Sequence, residues 1–504
     1  YPGLGSVSPL PRPRLLVSIW NRSSESLGAR STELHIADVF DCLPSLTSIP
    51  PMKLDLSKFF KACNPSKTLV VGDIEDRQYY IDFSFVRSTN IVRELGRTIT
   101  LLGSDNPSCQ LFTGHIGCGK STELFRLKAE LEKEGYHVVY FESSEDLDMA
   151  DVDVSDILMA IARKVSESLE SSQLTLQPKG FKALLQGAVE ILQTPISLSG
   201  EASIPGVGTL AASEEFGIEY SLPGGIGRIA AKAKDSPNLR SQLRQYLEPR
   251  TNSILEAINN ELLKPATEQL KRQNKQGLVV IIDNLDRLDN TPKPSGRTQP
   301  EYLFVDRGEQ LKKLNCHLVY TIPLGLLFSN DIGRLTGRFG VKPKVLPMVP
   351  IRLRDGQDFE PGMDLLRQMI LTRAFPQIEA SARLDLVGEV FDSVETLDRL
   401  CRISGGHVRN LLGLLYSCLQ QDDPPITRET VEHVIKENRD DLIAAISEDE
   451  WQLLLQAVQQ QSVKGDEDYQ MLLRSMFLFE YRDDRGRWFG INPALAEADQ
   501  FKQW

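Results

Sequence analysis

The sequence lacks any uninterrupted run of 18 or more apolar residues, the length that a helix needs to cross a bilayer. It also lacks an excess of positive charge, since its formal net charge is −12. That balance argues against a chain that coats nucleic acid through bulk electrostatics. Hydrophobic residues make up 41% and charged residues 25% of the chain, as in ordinary globular proteins. We therefore expect a soluble protein without a membrane span.

Paired cysteines are absent as well. None of the seven cysteines belongs to a C-x-x-C pair, so neither a disulfide framework nor a thiolate metal site is indicated. This pattern fits a reducing, cytoplasmic location. The cysteines are Cys42, Cys63, Cys109, Cys118, Cys316, Cys401 and Cys418.

The first 51 residues are rich in Pro, Ser and Arg, and they lack the apolar core and the small-residue cleavage site of a secretory signal. We expect residues 1–51 to be a poorly ordered N-terminal extension and the native start to lie at Met52. The whole chain of 504 residues is too long for one ordinary core, so several domains are expected.

One motif stands out among what is present: Gly114-His115-Ile116-Gly117-Cys118-Gly119-Lys120-Ser121 matches G-x-x-x-x-G-K-[ST]. Its glycines let consecutive backbone amides turn toward phosphate groups, and the following helix adds positive potential. In such a loop Lys120 would reach the β and γ phosphates, and the Ser121 hydroxyl would coordinate magnesium. Thr122 would contact the α phosphate. The motif predicts a site for ATP and Mg²⁺.

Helix and strand patterns alternate around this motif, which predicts a P-loop NTPase αβα sandwich with a parallel sheet over residues 52–350. A stretch rich in Pro and Gly near 181–227 interrupts the alternation and is expected to be an insertion, with a packed β-hairpin as the favoured form. The predicted helices are 90–102, 124–131 and 239–275, and the predicted strands are 109–113, 137–141, 277–283, 317–322 and 345–351.

An acid ends the apolar run 279–282. Asp283 would therefore stand at the carboxyl edge of a parallel strand, where it could join the magnesium shell. Asn284 follows it, at a place where many ATPases have a catalytic acid, so hydrolysis is expected to be slow. Asp286 could supply the missing carboxylate, or it could be a surface acid paired with Arg287.

Four further polar residues are candidates for contacts with the nucleotide. Thr321, late in a strand, could sense the γ phosphate or hold the attacking water, or it could be a buried strand threonine. Arg334 and Arg338 could reach the nucleotide of a neighbouring subunit, or they could be solvated. Arg409 could touch phosphate across a cleft between domains, or it could be an exposed or paired arginine.

Two smaller domains are predicted after the sheet. Residues 363–415 are almost entirely helical in pattern, which indicates a helical lid domain over 351–440. Two helices followed by a hairpin with an Arg-rich turn at 482–487 indicate a winged-helix-like domain over 441–504. Acids outnumber bases from 446 to 504, which disfavours contacts with nucleic acid phosphates except at that turn.

The phosphate loop at 114–121, the segment Asp283-Asn284-Leu285-Asp286 and the segment Gly405-Gly406-His407-Val408-Arg409 together resemble AAA+ ATPases. The resemblance covers roughly residues 85–504. It is strongest to the branch that holds the Orc/Cdc6-like initiators and the STAND ATPases, and to bacterial AAA-like ATP-binding proteins. It implies that Thr321 is sensor 1, that Arg409 is sensor 2, and that Arg334 or Arg338 is an arginine finger in a homo-oligomer.

These features favour an ATP-binding, slowly ATP-hydrolysing ATPase that acts as a conformational switch or assembly factor with a protein partner yet to be identified. The alternative is a DNA-binding AAA+ initiator or loader that uses its C-terminal winged helix.

Overall fold

The phosphate loop follows a strand of a five-stranded parallel sheet. The strand order is β2-β3-β4-β1-β5, so β4 separates the strand before the phosphate loop from the strand that ends in Asp283. Because the pairings are parallel, the carboxyl ends of these strands meet at one edge of the sheet. The strands are β1 (Cys109–Gly114), β2 (His137–Glu142), β3 (Leu278–Asp283), β4 (His317–Thr321) and β5 (Lys344–Leu346).

The computed structural model describes residues 54–174, 176, 178–193, 223, 226–227, 229–230, 236–465 and 467–502. The predicted N-terminal extension at 1–51 lies outside these residues, and so do Met52 and residues 194–222 of the predicted β-hairpin. The β-hairpin prediction is wrong for residues 181–193, which belong to the helix Lys179–Gln193. The described residues cluster as one unit. In the part of the chain that is described, no helix combines the length and the apolar character needed to cross a membrane.

Helices cover both faces of the sheet. Val279 and Ile281 of β3 pack with Leu124 of the helix after the phosphate loop, whereas Val280 and Ile282 belong to a second core on the opposite face. The helices are α1 (Leu56–Ala62), α2 (Ile74–Arg77), α3 (Ile91–Leu102), α4 (Lys120–Lys133), α5 (Ser143–Asp146), α6 (Val154–Ser171), α7 (Lys179–Gln193), α8 (Pro237–Leu247), α9 (Thr251–Ala257), α10 (Lys264–Arg272), α11 (Gly308–Lys312) and α12 (Ile332–Phe339), with π-helical turns at Ile258–Leu263 and Glu301–Asp306.

The C-terminal third consists of a helical lid and a wing. The lid has its own core, into which α1 inserts Phe59. Its helices are α13 (Glu360–Ala374), α14 (Ala380–Arg383), α15 (Val394–Ile403), α16 (Val408–Gln421) and α17 (Arg428–Ala445). The wing consists of α18 (Glu448–Gln460), α19 (Glu467–Arg474), the antiparallel strands β6 (Leu478–Asp483) and β7 (Gly486–Ile491), α20 (Pro493–Ala496) and α21 (Asp499–Lys502). The predicted fold class is confirmed.

Side-chain caps fix where several of these helices begin. Asn90 accepts a backbone N–H at the start of α3, and Ser393 and Thr427 do the same for α15 and α17. Ser447 and Glu450 form a reciprocal capping box on α18. Such caps are local in sequence, and the helix predicted at 90–102 begins after the Asn90 cap, whereas α6 was not predicted.

The predicted closing strand at 345–351 is too long. In the structure β5 ends at Leu346, because the backbone that follows bonds to other partners. The N–H of Met348 donates to the carbonyl of Glu480 at 2.9 Å, and the N–H of Val349 donates to that of Gly406 at 3.3 Å. This connector therefore leaves the sheet and ties it to the wing and the lid.

Candidate functional site

The phosphate loop connects β1 to α4. Gly119, at φ +104°, adopts the left-handed conformation that favours glycine, and α4 begins at the next residue, Lys120. No side chain caps this end of α4. Its first amides are therefore directed at the space where the motif predicts phosphate groups.

The lid touches the phosphate loop at Gly117. A Cβ atom on this residue would lie 2.8 Å from Nε2 of His407 and 2.9 Å from Cβ of Arg409. The N–H of Arg409 donates to the Gly117 carbonyl at 3.2 Å. Because Nδ1 of His407 accepts the N–H of Asn410, the proton of this ring lies on Nε2, which donates to the Ile116 carbonyl at 2.7 Å. Glycine therefore permits hydrogen bonds between lid and loop.

The wing touches the phosphate loop at His115. Nε2 of this ring accepts the N–H of Glu480 at 2.9 Å, so the proton of the neutral ring lies on Nδ1. Burial lowers the pKa of His115 to about 3, and His407 and Lys120 act in the same direction. Burial also lowers the pKa of His407 to about 4. Both rings are therefore neutral at neutral pH.

Lys120 is buried at the base of the loop. Its amino group donates to the carbonyls of Gly114 (3.0 Å) and His115 (2.8 Å), and it forms an ion pair with Asp286 at 2.9 Å. Burial alone would lower the pKa of Lys120, but Asp286 and other neighbours outweigh it, so the pKa lies above its usual value. The sequence left open a pairing of Asp286 with Arg287; its ion-pair partner in the structure is Lys120.

The carboxylate of Asp283 is fully buried at the carboxyl end of β3. It accepts the hydroxyl of Tyr140 at 2.9 Å and the N–H of Asn284 at 2.7 Å. Burial and then the Asp283 charge raise the pKa of Tyr140, while hydrogen bonding with Ser121 acts the other way. The Tyr140 hydroxyl thus lies between the two residues predicted as metal ligands.

The donor set at this point suits Mg²⁺. Ser121 and Asp283 offer hard oxygen ligands, and Mg²⁺ is usually held by one or two such ligands together with substrate phosphates and water. Within the described part of the chain, no cluster of three or more His, Cys, Asp or Glu side chains could hold a metal by itself. The residues present therefore fit a Mg²⁺ ion that arrives with a phosphate group.

A cleft between the phosphate loop and the lid, here called the loop–lid cleft, encloses a cavity of about 90 Å³. Burial lowers the pKa of Arg409, and the nearby guanidinium of Arg287 acts in the same direction. Two cations therefore face the loop, where they would attract an anion. The cleft is lined on the loop side by Gly117, Lys120, Ser121 and Thr122, beyond the sheet edge by Asn284, Asp286 and Arg287, on the lid by Met369, Arg409 and Leu412, and on the N-terminal segment by Tyr79, Tyr80 and Phe83.

Cys118 connects the phosphate loop to its surroundings through two hydrogen bonds. Its thiol is buried and donates to the Leu346 carbonyl at 3.7 Å, and its own carbonyl accepts the guanidinium of Arg87 at 2.7 Å. These contacts fix the loop backbone against β5 and the N-terminal segment.

Thr321 is fully buried at the carboxyl end of β4. Its hydroxyl accepts the N–H of Leu285 at 3.1 Å and donates to the Ile282 carbonyl at 3.4 Å. These bonds fix the turn that carries Asn284 and Asp286. A contact between Thr321 and a nucleotide stays a prediction.

Arg334 and Arg338 lie on α12. Arg334 is half exposed and pairs with Asp306 at 3.1 Å and with Asp331 at 3.0 Å. Neither arginine lines the loop–lid cleft, so a role in hydrolysis would require a second copy of the chain.

A contact that sequence reasoning missed joins β2 to the turn after β3. The amide of Asn284 donates to Glu142 at 2.6 Å and to the Ser144 hydroxyl at 3.3 Å. Glu142 is the last residue of β2 and the register partner of Asp283. The sequence shows that Glu142 ends the strand pattern 137–141 as Asp283 ends 279–282, but it does not show that Asn284 contacts Glu142.

Some of the basic side chains near the hairpin of the wing form ion pairs with acidic residues of the same chain. Arg487 pairs with Glu480 at 2.9 Å, and Arg354 from the connector pairs with Asp483 at 2.9 Å. The DNA-binding alternative stays a prediction.

No protein-family model and no curated protein matches the chain. Solved structures do. An ORC1 protein of Aeropyrum pernix, in complex with DNA, is 13% identical at a TM-score of 0.34, over 87% of this chain and 98% of that one. An ORC2 protein of the same organism, in ADPNP and ADP complexes, is 12% identical at a TM-score of 0.38, over 86% of this chain and 96% of that one. A Walker-type ATPase of Pyrococcus abyssi is 12% identical at a TM-score of 0.36, over 83% of this chain and 98% of that one. The predicted resemblance to Orc/Cdc6-like AAA+ ATPases is confirmed, and at these scores it carries no argument about function, which rests on the site itself.

Proposed function

We propose that the chain binds ATP with Mg²⁺ in the loop–lid cleft and hydrolyses it slowly, as a nucleotide-dependent conformational switch. The cleft supports this proposal through four features that face one another: a glycine-rich loop, the uncapped start of α4, a buried lysine and the two cations Arg287 and Arg409. This combination suits a polyphosphate.

The proposal of a switch rests on one observation: three consecutive residues of the loop form hydrogen bonds with the lid and the wing. His115 bonds to Glu480 of the wing, while Ile116 and Gly117 bond to His407 and Arg409 of the lid. A phosphate group that shifts the loop backbone therefore changes contacts with the lid and the wing directly. We propose residues 52–350, 351–440 and 441–504 as the bodies that move.

The residues of the loop and of the sheet edge have distinct roles in this proposal. Ser121 and Asp283 would hold Mg²⁺, which when bound neutralises phosphate charge. Lys120 would exchange Asp286 and the two loop carbonyls for the β and γ phosphates. That exchange leaves Asp286 without its cation, so binding rearranges the turn after β3.

Uncoupling the wing tests the switch. In the His115→Ala variant we expect ATP to bind, because the side chain of His115 faces Glu480 and only its backbone amide belongs to the phosphate cradle. The change in hydrogen exchange of β6 on adding Mg²⁺-ATP should fall to less than half of the wild-type change. His433→Ala, in an exposed histidine of α17 that contacts Glu437 at 3.3 Å, is the matched control. An unaltered β6 response in His115→Ala would contradict the coupling.

Concentration dependence tests a trans arginine. If Arg334 or Arg338 reaches a neighbouring nucleotide, Arg334→Ala or Arg338→Ala should lower hydrolysis per subunit by about 10³-fold, and only at concentrations where subunits assemble. Single-turnover hydrolysis measured against protein concentration gives the result. A wild-type rate per subunit that stays flat across the assembly range would remove both arginines from the reaction.

A further inference from the structure

Glu142 and Asp283 occupy equivalent positions on neighbouring strands. They are register partners at the carboxyl ends of β2 and β3. Adjacent parallel strands lie about 4.8 Å apart and paired residues project from the same face. The side chain of Glu142 therefore leaves the sheet on the face where Asp283 meets Tyr140 and Ser121.

Asn284 holds this carboxylate. Its amide donates to Glu142 at 2.6 Å, and its backbone adopts the left-handed conformation at φ +65°. In the sequence, Asn284 occupies the place where a carboxylate would activate water. The structure places a carboxylate from β2 beside Asn284, within hydrogen-bond distance of its amide.

Glu142 also has access to solvent beside the proposed ATP site. It is half buried, and it lines a cavity with Arg287, His407 and Arg409. Since Arg287 and Arg409 line the loop–lid cleft as well, the two spaces adjoin.

We propose that Glu142 is the general base of ATP hydrolysis in this chain, held in place by Asn284. This inference rests on the proposed ATPase function. A water molecule attacks the γ phosphorus and gives its proton to the carboxylate of Glu142. The bond from the γ phosphorus to the bridging oxygen breaks, and its electron pair leaves with ADP. Glu142 then returns the proton to solvent, so phosphate and ADP are the products.

Asp286 is another acidic residue near the loop. It is almost wholly buried, it lies past the end of β3, and its Oδ2 atom is engaged by Lys120. Its position suits a counter-ion that holds Lys120 until phosphate arrives. Glu142, by contrast, is positioned by the neutral amide of Asn284, and the Arg287 guanidinium lines the same cavity.

The experiment compares Glu142→Gln, Asp286→Asn and wild type in the full chain. Mg²⁺-ATP affinity is measured by calorimetry, and hydrolysis in single turnover with protein in excess. Glu142→Gln should bind Mg²⁺-ATP within about threefold of wild type and hydrolyse it about 10²–10⁴-fold more slowly, the usual contribution of a general base. Asp286→Asn, which removes the counter-ion of Lys120, should change Mg²⁺-ATP affinity more than it changes the rate at which bound ATP is hydrolysed. Glu145→Gln, in an exposed acid of α5 that contacts Lys164 at 3.6 Å, is the matched control.

Other outcomes overturn the proposal. Hydrolysis by Glu142→Gln at the wild-type rate removes Glu142 from the reaction, and loss of Mg²⁺-dependent affinity assigns it to the metal shell instead. If Glu142→Gln does not fold, Glu142→Asp decides: a rate at least tenfold below wild type with affinity retained supports the base, and a wild-type rate overturns it. Failure of the wild-type chain to bind ATP is a separate result, which removes the proposed function itself.

Discussion

Lys120→Ala is expected to abolish binding of Mg²⁺-ATP. The lysine would donate charge-assisted hydrogen bonds to the β and γ phosphates, each of which contributes about 1.5–3 kcal/mol. Loss of two such bonds weakens affinity by roughly two to four orders of magnitude. Calorimetry in the presence of Mg²⁺ measures the effect, and undiminished affinity would contradict the assignment of the loop.

The same variant has a second readout that needs no nucleotide. Lys120 is 6% exposed and Asp286 is 4% exposed in their side chains, so removal of the lysine leaves a buried carboxylate without its cation. Breaking such a buried pair typically costs about 3–5 kcal/mol of stability, and we expect a lowered melting temperature. Lys128→Ala is the matched control on α4, because Lys128 pairs with Glu132 (2.7 Å) at the surface, where ion pairs contribute little. It should bind and melt as wild type does.

The parts of the fold that could be predicted from the sequence are those that depend on near neighbours. The apolar run before Asp283 is a fully buried strand, and the helix predicted at 90–102 begins after the Asn90 cap. The closing strand was predicted too long because the bonding of residues 348 and 349 depends on Glu480 and Gly406. An apolar run alone cannot distinguish a strand from a connector whose amides bond to other domains.

The candidate site likewise has residues that could be predicted from the sequence and residues that could not. The phosphate loop could be predicted, because its residues are consecutive and their spacing determines the geometry. The contact between Asn284 and Glu142 could not, since it joins residues 142 positions apart. The role of His115 could not be predicted for another reason. The motif accepts any residue at that position, and the imidazole acquires its partner, the N–H of Glu480, only when the wing packs against the loop.

A substitution at the junction between the connector and the lid is expected to have the second large effect, a loss of stability. Gly406 has φ +75°, and a Cβ atom there would lie 1.7 Å from the Val349 carbonyl oxygen, a backbone atom that cannot rotate away. Left-handed backbone costs a residue with a Cβ about 1–2 kcal/mol, and relief of the overlap costs about 1–3 kcal/mol more. We therefore expect Gly406→Ala to lower the free energy of unfolding by roughly 2–5 kcal/mol. ATP affinity should fall as well, because His407 and Arg409 follow this residue directly.

Gly413→Ala is the matched control, since it makes the same chemical change seven residues later. Gly413 lies inside α16, and a Cβ atom there would meet nothing within 4 Å. Alanine in a helix interior is about 0.5–1 kcal/mol more favourable than glycine, so this variant should be as stable as wild type or more stable. Denaturant unfolding of both variants measures the difference. Equal stability would mean that the backbone of Gly406 can move away from Val349, and the lid would then not be fixed to the connector at this point.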